Sequence, residues 1–226
     1  GENDAILTLP VSKEAWFIAG HKYNGHTEFI DSILTINESA LMILFHKNLR
    51  VALATVHIAL SDVANGIDKD LLRKRILNFS KSLSFDFGIK YPKIAILGLN
   101  PHAGDGGSIG REEIEIINPL IKELQDKDYG VEGSFPADAF FARRLYENYD
   151  GVLAMYHDQG LIPLKMYAGN GGVNFTAGTN FIRTSPDHGT AFQIAGIGIA
   201  NHESTLESIE SIVNIFNNRR EYAFTT

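Results

Sequence analysis

The sequence predicts an α/β fold, and three short apolar runs together with the helical spacing between them support this. The runs 51–55, 94–99 and 152–155 have the length of buried strands. Apolar residues recur at steps of three and four in 70–87, and again from residue 112 onwards, as in amphipathic helices. Buried strands that alternate with amphipathic helices are typical of an α/β protein.

Composition narrows the class of protein. With 226 residues, 44% of them hydrophobic, the chain is long enough for one large domain or two small ones. A formal net charge of −7 argues against a nucleic-acid partner or an anionic membrane surface. No apolar run approaches the roughly 20 residues of a membrane span, and the polar start 1–4 does not resemble a signal peptide. We therefore expect a cytoplasmic protein with neither nucleic acid nor membrane as a partner.

The N-terminal elements are predicted to be short. Ala5–Leu9 has the pattern of a strand that ends at Pro10, and Ser12 is placed to cap the helix that follows. The Asn24-Gly25 pair predicts a tight turn, after which Glu28–Thr35 is expected to be helical.

Two apolar runs in the next segment, 41–45 and 51–55, are expected to be neighbouring strands and could form a hairpin. His46 is expected to lie in the turn between them. Asp70–Phe87 has the spacing of an amphipathic helix, whose cations are expected to face solvent. These cations are Arg73, Lys74, Arg75 and Lys81.

The C-terminal half is predicted to contain further loops and helices. The glycine-rich loop Gly104–Gly110 precedes glutamates that would repel a phosphate, so we expect it to shape a crevice rather than to bind one. Residues 130–139 are expected to form a loop and 140–149 a helix. The predicted buried stripes are Ile114, Ile117, Leu120, Ile121 and Leu124 in one helix, and Leu206, Ile209, Ile212, Val213 and Phe216 in the last.

A histidine follows each of the three apolar runs with which the prediction began. His57, His102 and His157 each come at or just past the end of a predicted strand, where α/β sheets collect ligands. The chain has no cysteine, so a metal site would use histidine, carboxylate or water. The three imidazoles could converge on one divalent cation. The alternative is that they are three unrelated polar residues at the starts of loops.

Three motifs carry a resemblance to a known family. They are G-L-N-P-H-A-G-D-G-G-S-I-G-R-E-E at 98–113, N-G-H-T-E-F at 24–29 and A-M-Y-H-D-Q-G at 154–160. Together they resemble 4-hydroxythreonine-4-phosphate dehydrogenase, or PdxA, the oxidative decarboxylase of vitamin B6 synthesis. The resemblance extends from Ala5 to about Asn217.

The resemblance implies an isocitrate/isopropylmalate dehydrogenase-like fold, with α/β/α layers, a mixed or parallel sheet and two lobes around a cleft. It implies NAD-dependent, metal-assisted oxidation and decarboxylation of 4-phosphooxy-L-threonine to 3-amino-2-oxopropyl phosphate, in pyridoxal 5′-phosphate biosynthesis. The cofactors would be NAD or NADP and a divalent metal such as Zn, Co, Mg, Mn or Ni. No dinucleotide fingerprint locates the nicotinamide. A homodimer is also implied, with the metal site at the subunit interface and His157 donated across it.

The resemblance also implies roles for single residues. His57, His102 and His157 match the metal ligands, and His26 and Thr27 match a substrate-binding pair. Lys165, Asn174 and Arg183 match further substrate contacts, and Asp138 is placed towards the active site. From the residues alone, Lys165 and Arg183 suit a phosphate and a carboxylate, although ordinary surface cations would look the same. Asp187 and His188 could be acid–base groups or structural hydrogen-bond partners.

The family pattern begins further upstream than this chain, so we expect a catalytic region, 1–226, that lacks an N-terminal portion. Its central lobe would span approximately 20–160, and 161–226 would form part of a second lobe. Two other functions remain open. One is a related dehydrogenase acting on 4-phosphothreonate or 4-phosphoerythronate, and the other is a tris-histidine metal hydrolase. A non-catalytic fragment that folds and dimerises is a further alternative.

Overall fold

The computed structural model describes residues 4–23, 26, 29–30 and 40–225. Its described strands form one eight-stranded sheet in the order β1-β8-β7-β2-β3-β6-β4-β5. They are Ala5–Leu7 (β1), Leu41–His46 (β2), Leu49–Leu53 (β3), Ile94–Leu97 (β4), Val131–Phe135 (β5), Gly151–Ala154 (β6), Val173–Ala177 (β7) and Ile182–Pro186 (β8). The described α-helices are Lys13–Ile18 (α1), Leu60–Gly66 (α2), Lys69–Phe85 (α3), Asn118–Gln125 (α4), Ala137–Ala142 (α5), His157–Ala168 (α6) and Glu203–Thr225 (α7).

Strand direction changes within this sheet. β3, β6, β4 and β5 run parallel to one another, and β1 runs parallel to β8. β2 is antiparallel to both of its neighbours, β3 and β7, and β7 is antiparallel to β8. The sheet is therefore mixed, as predicted. The division into lobes near residue 160 stays a prediction.

The predicted hairpin is confirmed, because Ile43 of β2 pairs with Ala52 of β3. The expectation for His46 was wrong. His46 is the last residue of β2 and is only 7% exposed, and its Nδ1 lies 2.9 Å from Oε2 of Glu207 in α7. A buried ring with a carboxylate partner joins the hairpin to the last helix.

Helices cover both faces of the sheet. Successive strand residues point to opposite faces, so one strand contributes to the core on each side. In β3, Ala52 belongs to one core and Val51 and Leu53 belong to the other. Helices α3, α4 and α7 fill the first core, and α5 and α6 fill the second. These α/β/α layers confirm the predicted arrangement.

Helix α3 confirms the predicted amphipathic segment, with one exception among its cations. Asp68 caps it by accepting a hydrogen bond from the N–H of Leu71 at 2.7 Å. Arg75 is half-buried and donates to the carbonyls of Ala40, at 2.9 Å, and Ala54, at 3.2 Å. These two bonds tie α3 to the sheet, so Arg75 does not face solvent as expected. Burial also lowers the pKa of this guanidinium.

Helix α7 confirms the last predicted helix but presents a different face to the sheet. Leu206 and Val213 are 48% and 53% exposed, although the predicted stripe placed them in the core. Ser204 and Ser208 are buried instead, and the carbonyl of Ser208 accepts a hydrogen bond from Thr184 Oγ1 at 3.0 Å. Serines are small enough to bring the helix close to β8, which larger side chains would prevent.

Three further expectations were wrong. Residues 130–139 were predicted to form a loop, but Val131–Phe135 is a strand at the edge of the described sheet, paired with β4. The stretch 140–149 is not one helix, because α5 ends at Ala142 and a short 3₁₀ helix follows at Leu145–Asn148. Ile114 lies in a π-helical turn before α4 and is 42% exposed rather than buried.

Short elements at the N-terminus agree with the sequence. Ser12 Oγ accepts a hydrogen bond from the N–H of Ala15 at 3.2 Å, which caps α1 as predicted. The predicted Asn24-Gly25 turn and most of the predicted helix Glu28–Thr35 lie outside the described residues. None of the helices in the described ranges is both long enough and apolar enough to span a bilayer.

Candidate active site

A cleft of about 370 Å³ lies on the face of the sheet beside α6. Alternate residues of β7 and β8 form its floor, since Asn174, Arg183 and Ser185 all line it. Lys165 of α6 and His57 also contribute to the cleft. The sequence placed ligands at strand ends, and the cleft is lined both there, since Thr8 and Asp187 directly follow β1 and β8, and on the strand interiors of β7 and β8. The other lining residues are Thr8, Leu9, Pro10, Lys13, His26, Pro186, Asp187, His188 and Gly189.

Arg183 is the most deeply buried cation of the cleft, at 4% exposure. Its Nε and Nη2 donate to Oγ1 of Thr8 at 3.1 and 2.9 Å, and its Nη1 donates to Oγ1 of Thr176 at 3.0 Å. The hydroxyls of Thr8, directly after β1, and of Thr176, in β7, therefore hold the guanidinium plane in place. A guanidinium fixed in this way is suited to a carboxylate or a phosphate.

Lys165 and Asp187 form an ion pair within the cleft. Lys165 Nζ lies 3.1 Å from Asp187 Oδ1, with side chains 53% and 13% exposed. Burial raises the pKa of Asp187, while Lys165 opposes this shift. The backbone N–H of Asp187 donates to Ser204 Oγ at 2.9 Å, so the start of α7 fixes where this carboxylate stands.

Asn174 also lines the cleft and carries an unsatisfied polar atom. Its Oδ1 is buried without a hydrogen-bond partner among the described residues. Its Nδ2 is 3.8 Å from the sulfur of Met42. A buried carbonyl oxygen without a donor costs stability unless a ligand supplies one, so this amide is suited to a hydrogen-bonding substrate.

His26 closes the cleft on the side of α1. Its ring meets the ring of Trp16 edge-on, with centroids 5.1 Å apart. Burial lowers the pKa of His26, and the charge of Arg183 lowers it further. A neutral ring can both donate and accept a hydrogen bond. The predicted partner of His26, Thr27, lies outside the described residues.

The three predicted metal ligands follow adjacent parallel strands. His57 follows β3, His157 follows β6 and His102 follows β4, and these strands are neighbours in that order. The structure brings two of them together, because the rings of His57 and His157 have centroids 5.9 Å apart. Nδ1 of His157 lies 2.7 Å from Asp158 Oδ1, which leaves Nε2 available as the ligating atom.

His102 does not join this pair in a metal-binding group among the described residues, and it lies on a backbone turn of unusual hand. Residues 102–106 have φ values from 43° to 80°, so His102 lies in a run of five left-handed residues. Left-handed helical backbone costs about 1–2 kcal/mol per non-glycine residue. Other contacts must therefore hold the turn that carries His102.

Glu113 provides these contacts. It is 1% exposed, and its Oε1 accepts hydrogen bonds from the backbone N–H groups of Leu99 and Asn100, both at 2.7 Å. Its Oε2 accepts from Nδ2 of Asn100 at 2.9 Å. A Cβ on Gly104 would lie 2.7 Å from that same oxygen, so glycine is required there. From the sequence, Glu113 was only one of the glutamates expected to repel a phosphate, whereas in the structure it anchors the His102 turn.

The donor set suits a divalent metal only in part. Two imidazoles, one of them oriented by a carboxylate, are typical ligands of such an ion. Among the described residues of one chain, however, no group of three histidine, aspartate or glutamate side chains is placed to hold a metal. The pair of His57 and His157 would therefore need a further ligand to hold such an ion.

Some lining residues were missed or left open by the sequence, and three expected residues, His102, Asp138 and His157, are not among the described residues that line the cleft. Lys13 was not singled out, because it looks like any exposed lysine in a first helical turn. The role of Asp187 was left open, since its pairing with Lys165 depends on how β8 ends. Asp138 is exposed in the first turn of α5 and is not among the described lining residues. Its role stays a prediction.

The fold and the cleft define a mixed-sheet α/β protein with a cationic cleft beside a pair of histidines. Residues 1–212 match the model of the family described as pyridoxal phosphate biosynthetic protein PdxA. The chain belongs to this family.

The relatives agree with this assignment. A 4-hydroxythreonine-4-phosphate dehydrogenase of Bacteroides thetaiotaomicron is 45% identical over 217 residues, which cover 96% of this chain and 60% of that protein. The crystal structure of the same-named enzyme from Klebsiella pneumoniae superposes with a TM-score of 0.81 at 42% identity, covering 94% of this chain and 63% of that one. The chain thus spans somewhat less than two thirds of their length.

An isocitrate dehydrogenase from Methylococcus capsulatus shares the fold, with a TM-score of 0.56 at 14% identity over 97% of this chain and 70% of that one. This likeness confirms the predicted dehydrogenase-like fold class. At this identity it concerns the fold alone.

Proposed function

We propose that this chain is the main part of an NAD-dependent oxidative decarboxylase that converts 4-phosphooxy-L-threonine to 3-amino-2-oxopropyl phosphate. The observation that carries the proposal is the cleft. It gathers His26, His57, Lys165, Asn174 and Arg183, five of the residues that the family pattern singles out. We also place the enzyme in the cytoplasm, with which the absence of cysteine from these 226 residues is compatible.

Substrate binding in this proposal depends on the cations of the cleft. Arg183 and Lys165 hold the phosphate and carboxylate groups, and the neutral ring of His26 adds a hydrogen bond. Oδ1 of Asn174 accepts a hydrogen bond from a substrate hydroxyl or amino group, which satisfies an atom that lacks a partner among the described residues. Because Arg183 is held by Thr8 and Thr176, little reorganisation is needed when the substrate binds.

The chemistry requires two bond-breaking steps. In the first, the alcohol carbon gives up a hydride and its hydroxyl gives up a proton. The resulting β-keto acid then loses carbon dioxide, and the electron pair left behind takes up a proton at carbon. When bound, NAD and a divalent cation supply a hydride acceptor and a Lewis acid for the oxygen. We assign the proton delivered to carbon in the second step to the Nζ ammonium of Lys165, which Asp187 holds within the cleft.

For the cation we propose His57, His102 and His157 as ligands, in a homodimer with the site at the subunit interface. Among the described residues of one chain, His102 does not join the other two in a metal-binding group, which supports an arrangement in which the partner supplies part of the set. Exposed apolar side chains near these histidines also support an interface. They are Ile58 and Leu60 after His57, and Ile162 and Met166 on α6, which are between 47% and 81% exposed.

A closely related function is the oxidation of 4-phosphothreonate or 4-phosphoerythronate. These substrates carry the same anionic groups, so Arg183 and Lys165 serve them equally well. A tris-histidine hydrolase is a second alternative, and the pairing of His57 with His157 is the observation that favours it.

Absorbance of NADH, recorded after addition of each phosphorylated acid with a divalent metal, tests the proposal. Turnover with 4-phosphooxy-L-threonine is expected, and Arg183→Lys should raise KM because it keeps the charge but loses the fork. The matched control is Arg144→Lys, since Arg144 lies on the surface in an ion pair with Glu147. An unchanged KM in Arg183→Lys would remove this residue from the binding site.

Metal binding is tested separately by calorimetry with Zn²⁺ or Co²⁺. Replacement of His57 or His102 by alanine should weaken binding strongly, whereas His202→Ala, at another exposed histidine, should not. Hydrolysis without any nicotinamide signal would favour the hydrolase. Metal binding without turnover in either assay would indicate a chain that lacks part of its active site.

A further inference from the structure

The cleft contains one acidic side chain among its cations. Of the described residues that line it, Lys13, Lys165 and Arg183 carry positive charge and Asp187 carries the only carboxylate. An anion-binding cleft gains nothing from a carboxylate unless the ligand presents a group that the carboxylate attracts. The placement of Asp187 therefore bears on which ligand the cleft accepts.

Asp187 is held firmly in this position. Its backbone N–H donates to Ser204 Oγ at 2.9 Å, and the same hydroxyl donates to the carbonyl of Gly172 at 2.6 Å. Ser204 is 2% exposed. The carboxylate thus stands on a buried hydrogen-bonded junction between the end of β8, the start of α7 and the residue before β7.

The carboxylate of Asp187 is only partly used within the described part of the chain. Oδ1 pairs with Lys165 at 3.1 Å, and no hydrogen bond to Oδ2 is found among the described residues. Lys165 is 53% exposed on a flexible stem, so it can turn towards an incoming anion while remaining near Asp187. The second oxygen of a side chain that is only 13% exposed is then available to a donor on the ligand.

We infer that Asp187 is the specificity-determining residue that selects a substrate carrying an ammonium group over one carrying a hydroxyl group at the same carbon. The inference rests on the proposed function and deepens it. A phosphorylated amino acid pairs its phosphate and carboxylate with the cations and its ammonium with Asp187. A phosphorylated hydroxy acid has the same anions but leaves the Asp187 carboxylate without a cationic partner.

The two ligand classes are compared by calorimetric titration of the whole chain with 4-phosphooxy-L-threonine and with 4-phosphoerythronate. Fluorescence of Trp16, the only tryptophan of the chain and 5.1 Å from the ring of His26, gives a second reading of occupancy. The wild-type chain should prefer the amino ligand by about 10- to 100-fold, the range of one charge-assisted hydrogen bond. Equal affinity for both ligands would overturn the inference.

Variants separate recognition from structure. Asp187→Asn should weaken binding of the amino ligand by about 10- to 100-fold and leave the hydroxy ligand within about 3-fold. Asp187→Glu, which keeps the charge, should restore part of the preference. Lys165→Met should weaken both ligands alike, because both carry the anions. Asp126→Asn, in the exposed Lys122–Asp126 pair with its 2.7 Å contact, is the matched control and should change neither.

The outcomes distinguish this inference from the function on which it rests. If Asp187→Asn weakens both ligands equally, Asp187 only supports Lys165 and the inference is wrong. A preference that survives Asp187→Asn also contradicts it. A wild-type chain that binds neither ligand contradicts the proposed function, and the inference falls with it.

Discussion

Replacement of Glu113 by alanine tests whether one buried carboxylate holds the left-handed turn at His102. The substitution removes the acceptor of two backbone N–H groups, those of Leu99 and Asn100, and of one side-chain donor. Each buried donor left without an acceptor costs about 1–3 kcal/mol. Leu99 and Asn100 are only half-buried, so water replaces part of the loss. We therefore expect a decrease of roughly 2–4 kcal/mol in the free energy of unfolding.

Thermal and urea unfolding measure this change. In a chain of this size, 1 kcal/mol lowers Tm by about 2–4 °C, so a shift of roughly 4–16 °C is expected. Glu115→Gln, two residues further on, is the control, since Glu115 makes an exposed ion pair with Arg111 and should change stability by less than about 1 kcal/mol. If Glu113→Ala unfolds like the wild type, the turn is not held by this carboxylate and our account of it is wrong.

Three other perturbations test further parts of the structure. Gly110→Ala should destabilise the fold by about 1–3 kcal/mol more than Gly106→Ala in urea unfolding. Both glycines have positive φ, but only a Cβ at Gly110 would lie 2.4 Å from Asn100 Nδ2. Equal losses of stability in the two variants would contradict this. Lys127, Lys69 and Arg73 lower the pKa of Glu123 to about 2, so its stabilisation is present above pH 4.5 and is lost as pH falls towards 2. Glu123→Gln should flatten this part of the stability profile, and an unchanged profile would exclude the effect. Burial and Arg183 lower the pKa of His26, so NMR should show its ring titrating below 6.5, and a pKa at or above 6.5 would refute this.

Much of the sheet follows from local pattern. The apolar runs 51–55, 94–99 and 152–155 lie in three adjacent parallel strands, and each is followed by its histidine, as the sequence predicted. The hairpin formed by β2 and β3 was also predicted. Continuous apolar runs bounded by polar residues have few alternatives to a buried strand, and this is why these assignments hold.

Tertiary contacts decided the elements that were predicted wrongly. Helix α7 has apolar residues on more than one face, and periodicity alone does not tell which face meets β8. The structure buries Ser208 and exposes Val213. Strand β5 contains two charged or small residues, Glu132 and Gly133, and was taken for a loop; its pairing with β4 makes it a strand.

The candidate site was less predictable from the sequence than the sheet. Spacing alone indicated three histidines. The role expected for Asn174 came from the family resemblance, and the residues alone left Arg183 open, because a buried arginine and a surface arginine look the same in a sequence. Lys13 and Asp187 meet in the cleft although 174 positions separate them in the chain. Such a meeting depends on the parallel pairing of β1 with β8, which one sequence does not disclose.

Gln159, two residues after His157, has a consequence for how the histidine loops respond to change. Its Oε1 accepts a hydrogen bond from the N–H of Met155 and its Nε2 donates to the carbonyl of Gly98, both at 2.7 Å. A single side-chain amide thereby links the loop after β6 to the loop after β4. Displacement of one histidine by a ligand or a mutation should be transmitted to the other, so His102 and His157 are expected to move together.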